Sequence, residues 1–104
     1  MSKYLIVRTF CGNIENANKI IDILLEKKLI VGSQITEVYS KYWWNNYLEE
    51  SQEYKLEFRT KESKYNEIEQ VIKENHTYKL PEISYCTLKG SKEFEEWIDK
   101  FVED

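Results

Sequence analysis

One histidine, two cysteines and a scatter of carboxylates are the side chains here that could bind a metal or move a proton. His76 opens the segment His76-Thr77-Tyr78-Lys79-Leu80-Pro81-Glu82. Imidazole, thiolate and carboxylate are donor types that hold Cu(II), Zn(II) and similar ions. His76, Cys11 and Glu82 are therefore the candidate metal ligands. Each has a plainer competing role. His76 can end a helix and bond a nearby carbonyl through its ring, and Glu82 can be a solvated strand-end charge. Cys11 follows the first apolar run close to a helix start, a place that can lower a thiol pKa. It is a candidate soft ligand or redox-sensitive thiol, against the alternative of a small loop residue. Cys86 falls inside a strand and reads as a buried apolar filler. The two cysteines fit no C-x-x-C spacing, and in a reducing cytosol they are expected as free thiols.

The other clusters read more readily as structure. Glu49, Glu50 and Glu53 could hold a hard cation, but adjacent strand residues point to opposite faces, which favours a salt-bridged or solvated surface. Tyr42-Trp43-Trp44 could stack a base, yet these rings crowd a hairpin tip in an acidic chain, which favours interface packing. Tyr78 either lines a cleft or anchors its segment through the hydroxyl, and Pro81 fixes the chain direction. No Ser-His-Asp set, paired catalytic carboxylates or arginine-bearing phosphate loop can be assembled, so an enzyme is not expected.

These residues need elements to position them. Tyr4 to Phe10 is a short apolar run, expected as a strand covered on both faces. Asn13 is placed to cap a helix whose apolar residues Ile14, Ala17, Ile20, Ile21, Leu24 and Leu25 recur at helical spacing. Asn45-Asn46 is a plausible two-residue turn, because Asn tolerates positive φ. Alternation of Tyr54, Leu56 and Phe58 with charged residues, and the β-branched and aromatic residues before the turn, predict one hairpin from about Ser33 to about Thr60. Each arm is roughly twice the usual five or six residues. A second helix is expected from Glu62 to Asn75, a connector from His76 to Pro81, and a strand from Glu82 to Leu88. Ser91 then caps a last helix carrying Phe94, Trp97, Ile98, Phe101 and Val102 on one stripe. The order β-α-β-β-α-β-α predicts an α+β ferredoxin-like sandwich with helices on one face of an antiparallel sheet. Its 104 residues are expected to form one domain, 1–104. A hairpin this long must pack its aromatic tip on something, and another copy of the chain is the favoured partner.

Composition narrows the partners. A net charge of −4 with only Arg8 and Arg59 as arginines argues against a nucleic-acid binder. No apolar run is long enough to span a bilayer. The first residues lack a small-residue cleavage site, which makes the cytoplasm the default expectation.

Several motifs, in this order and spacing, resemble the CutA-like divalent-cation-tolerance family. They are Lys28-Leu29-Ile30-Val31-Gly32-Ser33-Gln34-Ile35, Tyr42-Trp43-Trp44, Leu48-Glu49-Glu50, Arg59-Thr60-Lys61, His76-Thr77-Tyr78-Lys79-Leu80-Pro81-Glu82-Ile83 and Phe94-x-x-Trp97-Ile98. The resemblance covers nearly the whole chain. There are departures: Gly32 stands where the family usually has a cysteine, Thr77 where it has proline, and Asn45-Asn46 replaces Glu-Gly at the turn. Loss of the cysteine removes a soft ligand that Cu(I) would favour. The resemblance implies a homotrimer, similar in build to PII-type signalling proteins, in which long strands of neighbouring subunits pair edge to edge. Tyr42, Trp43 and Trp44 would then lie at the trimer interface. It also implies a role in tolerance of divalent metals, copper especially, through weak metal binding or protein interaction and with no required cofactor. The alternative it suggests is a PII-type sensor binding a small anion in intersubunit clefts, with Tyr78, Lys61, Lys79 and Arg59 nearest the ligand.

Overall fold

A computed structural model describes residues 3–103. Three helices and four strands follow the chain: β1 Tyr4–Cys11, α1 Ile14–Glu26, β2 Gly32–Trp44, β3 Tyr47–Lys61, α2 Tyr65–Asn75, β4 Ser84–Leu88 and α3 Lys92–Phe101. All pairings are antiparallel, in the order β2-β3-β1-β4. This is the expected ferredoxin-like arrangement.

Local chemistry sets the element ends. Asn13 accepts a hydrogen bond from the Asn16 amide, and Ser91 from the Phe94 amide, so both side chains cap as expected. Lys28 adopts φ 57° after α1, where its amide bonds Leu25 and the Leu29 amide bonds Leu24. That is a Schellman ending with lysine in the position glycine usually takes. Asn45 and Asn46 have φ of 49° and 69°, the left-handed pair that a type I′ hairpin turn requires. Two boundaries differ from expectation. Glu62–Lys64 form a single 3-10 turn before α2. β4 begins at Ser84, not Glu82: its ladder with β1 ends at Arg8↔Ser84, and further along β1 the Phe10 carbonyl is engaged by the His76 ring instead.

Strand alternation divides β1 between two faces. Leu5, Val7 and Cys11 point into the main core with Leu56 and Phe58 of β3, Ala17, Ile20 and Leu24 of α1, and Ile68 and Ile72 of α2. Tyr4 points the other way and packs with Ile98 of α3 and Val102 just after it, beside Val31 and Leu88. The helices are therefore not all on one face. α3 covers the opposite face at one end, because its narrow stripe meets Tyr4 and not the α1–α2 core. Cys86 also differs from expectation: it is exposed on the edge strand β4, and Ile6 is its register partner.

The hairpin outruns the sheet. β3 pairs with β1 only from Tyr54 to Lys61, while β2 and β3 stay paired up to Trp44↔Tyr47. From Val38↔Glu53 outward no third strand is present, an overhang of about 23 Å at roughly 3.3 Å per residue. This arm makes the molecule long, 44 × 24 × 21 Å.

Candidate functional site at the root of the arm

The connector 76–83 leaves α2 and is pinned under the end of β1. His76 caps α2, its amide bonding the Ile72 carbonyl. Its Nε2 lies 2.8 Å from the Phe10 carbonyl oxygen, and its Nδ1 lies 3.0 Å from the Tyr78 amide nitrogen. A carbonyl only accepts and an amide N–H only donates. Nε2 therefore carries the hydrogen and Nδ1 the lone pair, which is the neutral imidazole. Burial lowers the His76 pKa, against the Phe10 bond and the charge of Glu53, which raise it.

Cys11 Sγ sits 3.8 Å from His76 Nε2. It is fully buried as the last residue of β1, and burial, with a smaller effect of Glu53, pushes its thiol up to about 11. A helix start can lower a thiol pKa, but here burial acts the other way. The strand runs one residue further than expected, which turns this side chain into the core.

Tyr78 donates from its hydroxyl to Glu53 Oε2 at 2.7 Å. Burial first, then this bond and the Glu53 charge, push the phenol up and keep the proton on it. Gly12 gives the ring room, since a Cβ there would lie 3.1 Å from Tyr78 Cε1 and from its hydroxyl. Asn16 of α1 completes the anchorage, donating to the Asn75 carbonyl at 2.9 Å and accepting from the Thr77 amide at 3.4 Å. Between connector and arm lies a cavity of about 670 Å³, lined by Phe10, Tyr42, Trp44, Glu53 and Tyr78 with Lys41, Lys79 and Glu82 among the others.

The candidate ligands do not assemble into a metal site within one chain. His76 and Cys11 are neighbours, but Glu82 stands apart, accepting from the Ser84 hydroxyl at 2.9 Å. Both His76 nitrogens are engaged, so a metal there would have to displace Phe10 or Tyr78. No group of three or more His, Cys, Asp and Glu that could hold a metal occurs among the described residues. The donor set present in one chain does not fit a resident divalent ion.

The four anion-cleft candidates separate into two pairs. Tyr78 and Lys79 line the cavity. Lys61 lies at the α3 end, with its ammonium 3.0 Å from Asp99, whose carboxyl it holds below the usual range. Arg59 lies beside it on β3, with Nη1 buried and making no hydrogen bond among the described residues. Six residues of strand separate Glu53 from Arg59, about 20 Å. The aromatic triplet is also split by alternation. Tyr42 and Trp44 line the cavity, while Trp43 points to the other face opposite Leu48 and is 70% exposed.

One participant was assigned another role from the sequence and a second was not singled out. Glu53 is only 6% exposed, although it was read as part of a solvated acidic arm. Its place next to core-facing Tyr54 puts it on the opposite face, which by itself reads as solvent-facing, so nothing local marked its burial. Asp99, bonded by Tyr4 and Lys61, had no signal, because α3 was expected on the other side of the sheet.

The family described as CutA1 divalent ion tolerance protein matches residues 5–101. The chain belongs to the CutA family. The divalent-cation tolerance protein CutA of Thermococcus kodakarensis is 38% identical over 99 residues, covering 94% of this chain and 95% of that protein. Among solved structures, the periplasmic divalent cation tolerance protein CutA from Archaeoglobus fulgidus superposes with a TM-score of 0.93 at 32% identity, covering 96% of this chain and 99% of that one. CutA1 from the psychrotrophic bacterium Shewanella sp. SIB1 gives 0.93 at 28% identity, covering 99% and 98%. Among the described residues of this CutA protein, no helix is long and apolar enough to cross a membrane.

Proposed function

We propose that this CutA protein contributes to divalent-cation tolerance, copper included, as a homotrimer that works by association and not by catalysis. Its metal contacts are weak and lie at surfaces shared between copies, because one chain lacks a fitting donor set. The observation that carries this reading is the arm. Tyr39, Trp43, Tyr47 and Leu48 are each about 70% exposed on a ribbon that has no third strand. An exposed apolar patch on an unpaired strand edge marks an interaction surface. Neighbouring copies that pair along these edges would cover both at once. The compartment proposed is the cytoplasm, where Cys11 and Cys86 stay reduced.

The test is molar mass by light scattering coupled to gel filtration, on apo protein and again with Cu(II). Three chains of 12.6 kDa without metal support the trimer. A monomer in both conditions overturns it. A mass that grows only with copper replaces it with metal-bridged association.

A further inference from the structure

Glu53 is a buried carboxylate with no cationic partner among the described residues. It is 6% exposed, its hydrogen bond comes from the neutral Tyr78 phenol, and it forms no salt bridge among the described residues. The nearest imidazole, His76, is held neutral by its own two bonds. Buried ionised carboxylates are ordinarily paired with a positive group, because desolvation of a lone charge is costly.

The charge is also not inside a sealed core. Glu53 lines the cavity of about 670 Å³ together with the rings of Phe10, Tyr42, Trp44 and Tyr78. That volume is in the range of small-ligand sites, roughly 300–1,000 Å³. The two lysines on the wall are exposed, and Lys41 is taken by Glu50 at 3.3 Å. Glu82 is exposed and accepts from Ser84. The buried charged group on this wall is therefore a carboxylate, and the rings of Phe10, Tyr42, Trp44 and Tyr78 line the same cavity. Rings present their negative faces to cations, and a cage of them with a carboxylate selects an alkylated or primary ammonium over an anion or a neutral solute.

We propose that this cavity is a binding site for a small organic cation, with Glu53 as its counter-charge and Tyr42 and Tyr78 as its nearest aromatic walls. Tyr78 also orients the carboxylate, leaving Oε1 for the ligand while Oε2 accepts the hydrogen bond from the phenol.

The test uses the full chain in its native assembly, titrated by calorimetry with tetramethylammonium and n-butylammonium chlorides. Tert-butanol serves as the uncharged counterpart of similar shape. Saturable binding of at least one cation is expected, weakening with added salt, with tert-butanol about tenfold weaker or more. Glu53→Gln keeps an acceptor for the Tyr78 hydroxyl and removes the charge. It should lose about tenfold in cation affinity while circular dichroism and molar mass stay those of the wild type. Tyr42→Leu, which takes no part in the Tyr78–Glu53 bond, should weaken binding as well, which covers the case in which Glu53→Gln fails to fold. The proposal is overturned if neither cation binds, as when a lysine or arginine of a second copy fills the cavity. It is equally overturned if tert-butanol binds as well as the cations, or if Glu53→Gln folds and binds them unchanged.

Discussion

Tyr78→Phe isolates the bond that fastens the connector to the arm. The ring keeps its place against Gly12, so the change removes a hydroxyl and little packing. The lost bond is 2.7 Å long and runs to a carboxylate that is 6% exposed. Hydrogen bonds to charged groups contribute about 1.5–3 kcal/mol, and water cannot readily replace this one because its acceptor is buried. We expect Tyr78→Phe to cost about 2 kcal/mol. Glu53→Gln should cost less, roughly 1 kcal/mol, because its amide oxygen still accepts and the buried charge is gone. The double variant should cost less than the sum of the two, with a coupling on the order of 1 kcal/mol. The assay is urea denaturation at one fixed chain concentration, since assembly makes apparent stability concentration-dependent. Additive losses, or a Tyr78→Phe variant within about 0.5 kcal/mol of wild type, would refute the claim that this bond holds the connector.

Three further outcomes follow from the same geometry. Burial lowers the His76 pKa below its unfolded value, so its contribution to stability is present above about pH 6.5 and is lost as pH falls through the folded value. His76→Gln should flatten that acid limb of the denaturation midpoint, and an unchanged limb would show that other groups cause it. Cys11 is pushed from 9.0 up to about 11, which leaves about 100-fold less thiolate at pH 8, besides its burial. Iodoacetamide should therefore modify Cys11 only after unfolding, and rapid labelling of Cys11 in the native protein, read by peptide mass, would contradict its place in the core. Gly32 has no positive φ, and a Cβ there would meet only Trp97 Cη2, at 3.7 Å, an ordinary contact. Gly32→Cys should fold with an unchanged melting temperature and gain Cu(I) affinity over wild type in a competition assay with a chromophoric chelator. A variant that melts markedly lower would show that the position is closed to a side chain.

Elements with a strong local signal were legible before any coordinates. The alternation of Tyr54, Leu56 and Phe58, the Asn45-Asn46 turn and the Asn13 and Ser91 caps each depend on a few neighbouring residues, and each is found where it was placed. What was not legible depended on contacts between distant segments. The side of the sheet that α3 covers is decided by Tyr4, some 95 positions from its partner Asp99. The burial of Glu53 is decided by Tyr78, 25 positions away. The Schellman ending at Lys28 lacked its usual glycine, so no local residue marked it.

The same distinction explains why donor residues did not amount to a metal site. A list of side chains gives ligand types, but each lone pair can be used once. His76 spends both nitrogens on the backbone of Phe10 and Tyr78, and Cys11 is held protonated by burial. These commitments brace the connector, which in turn brings Tyr78 to Glu53, a carboxylate with no cationic partner among the described residues. The residues that looked most like ligands act as scaffold, and the charge they position is the one that still needs a partner.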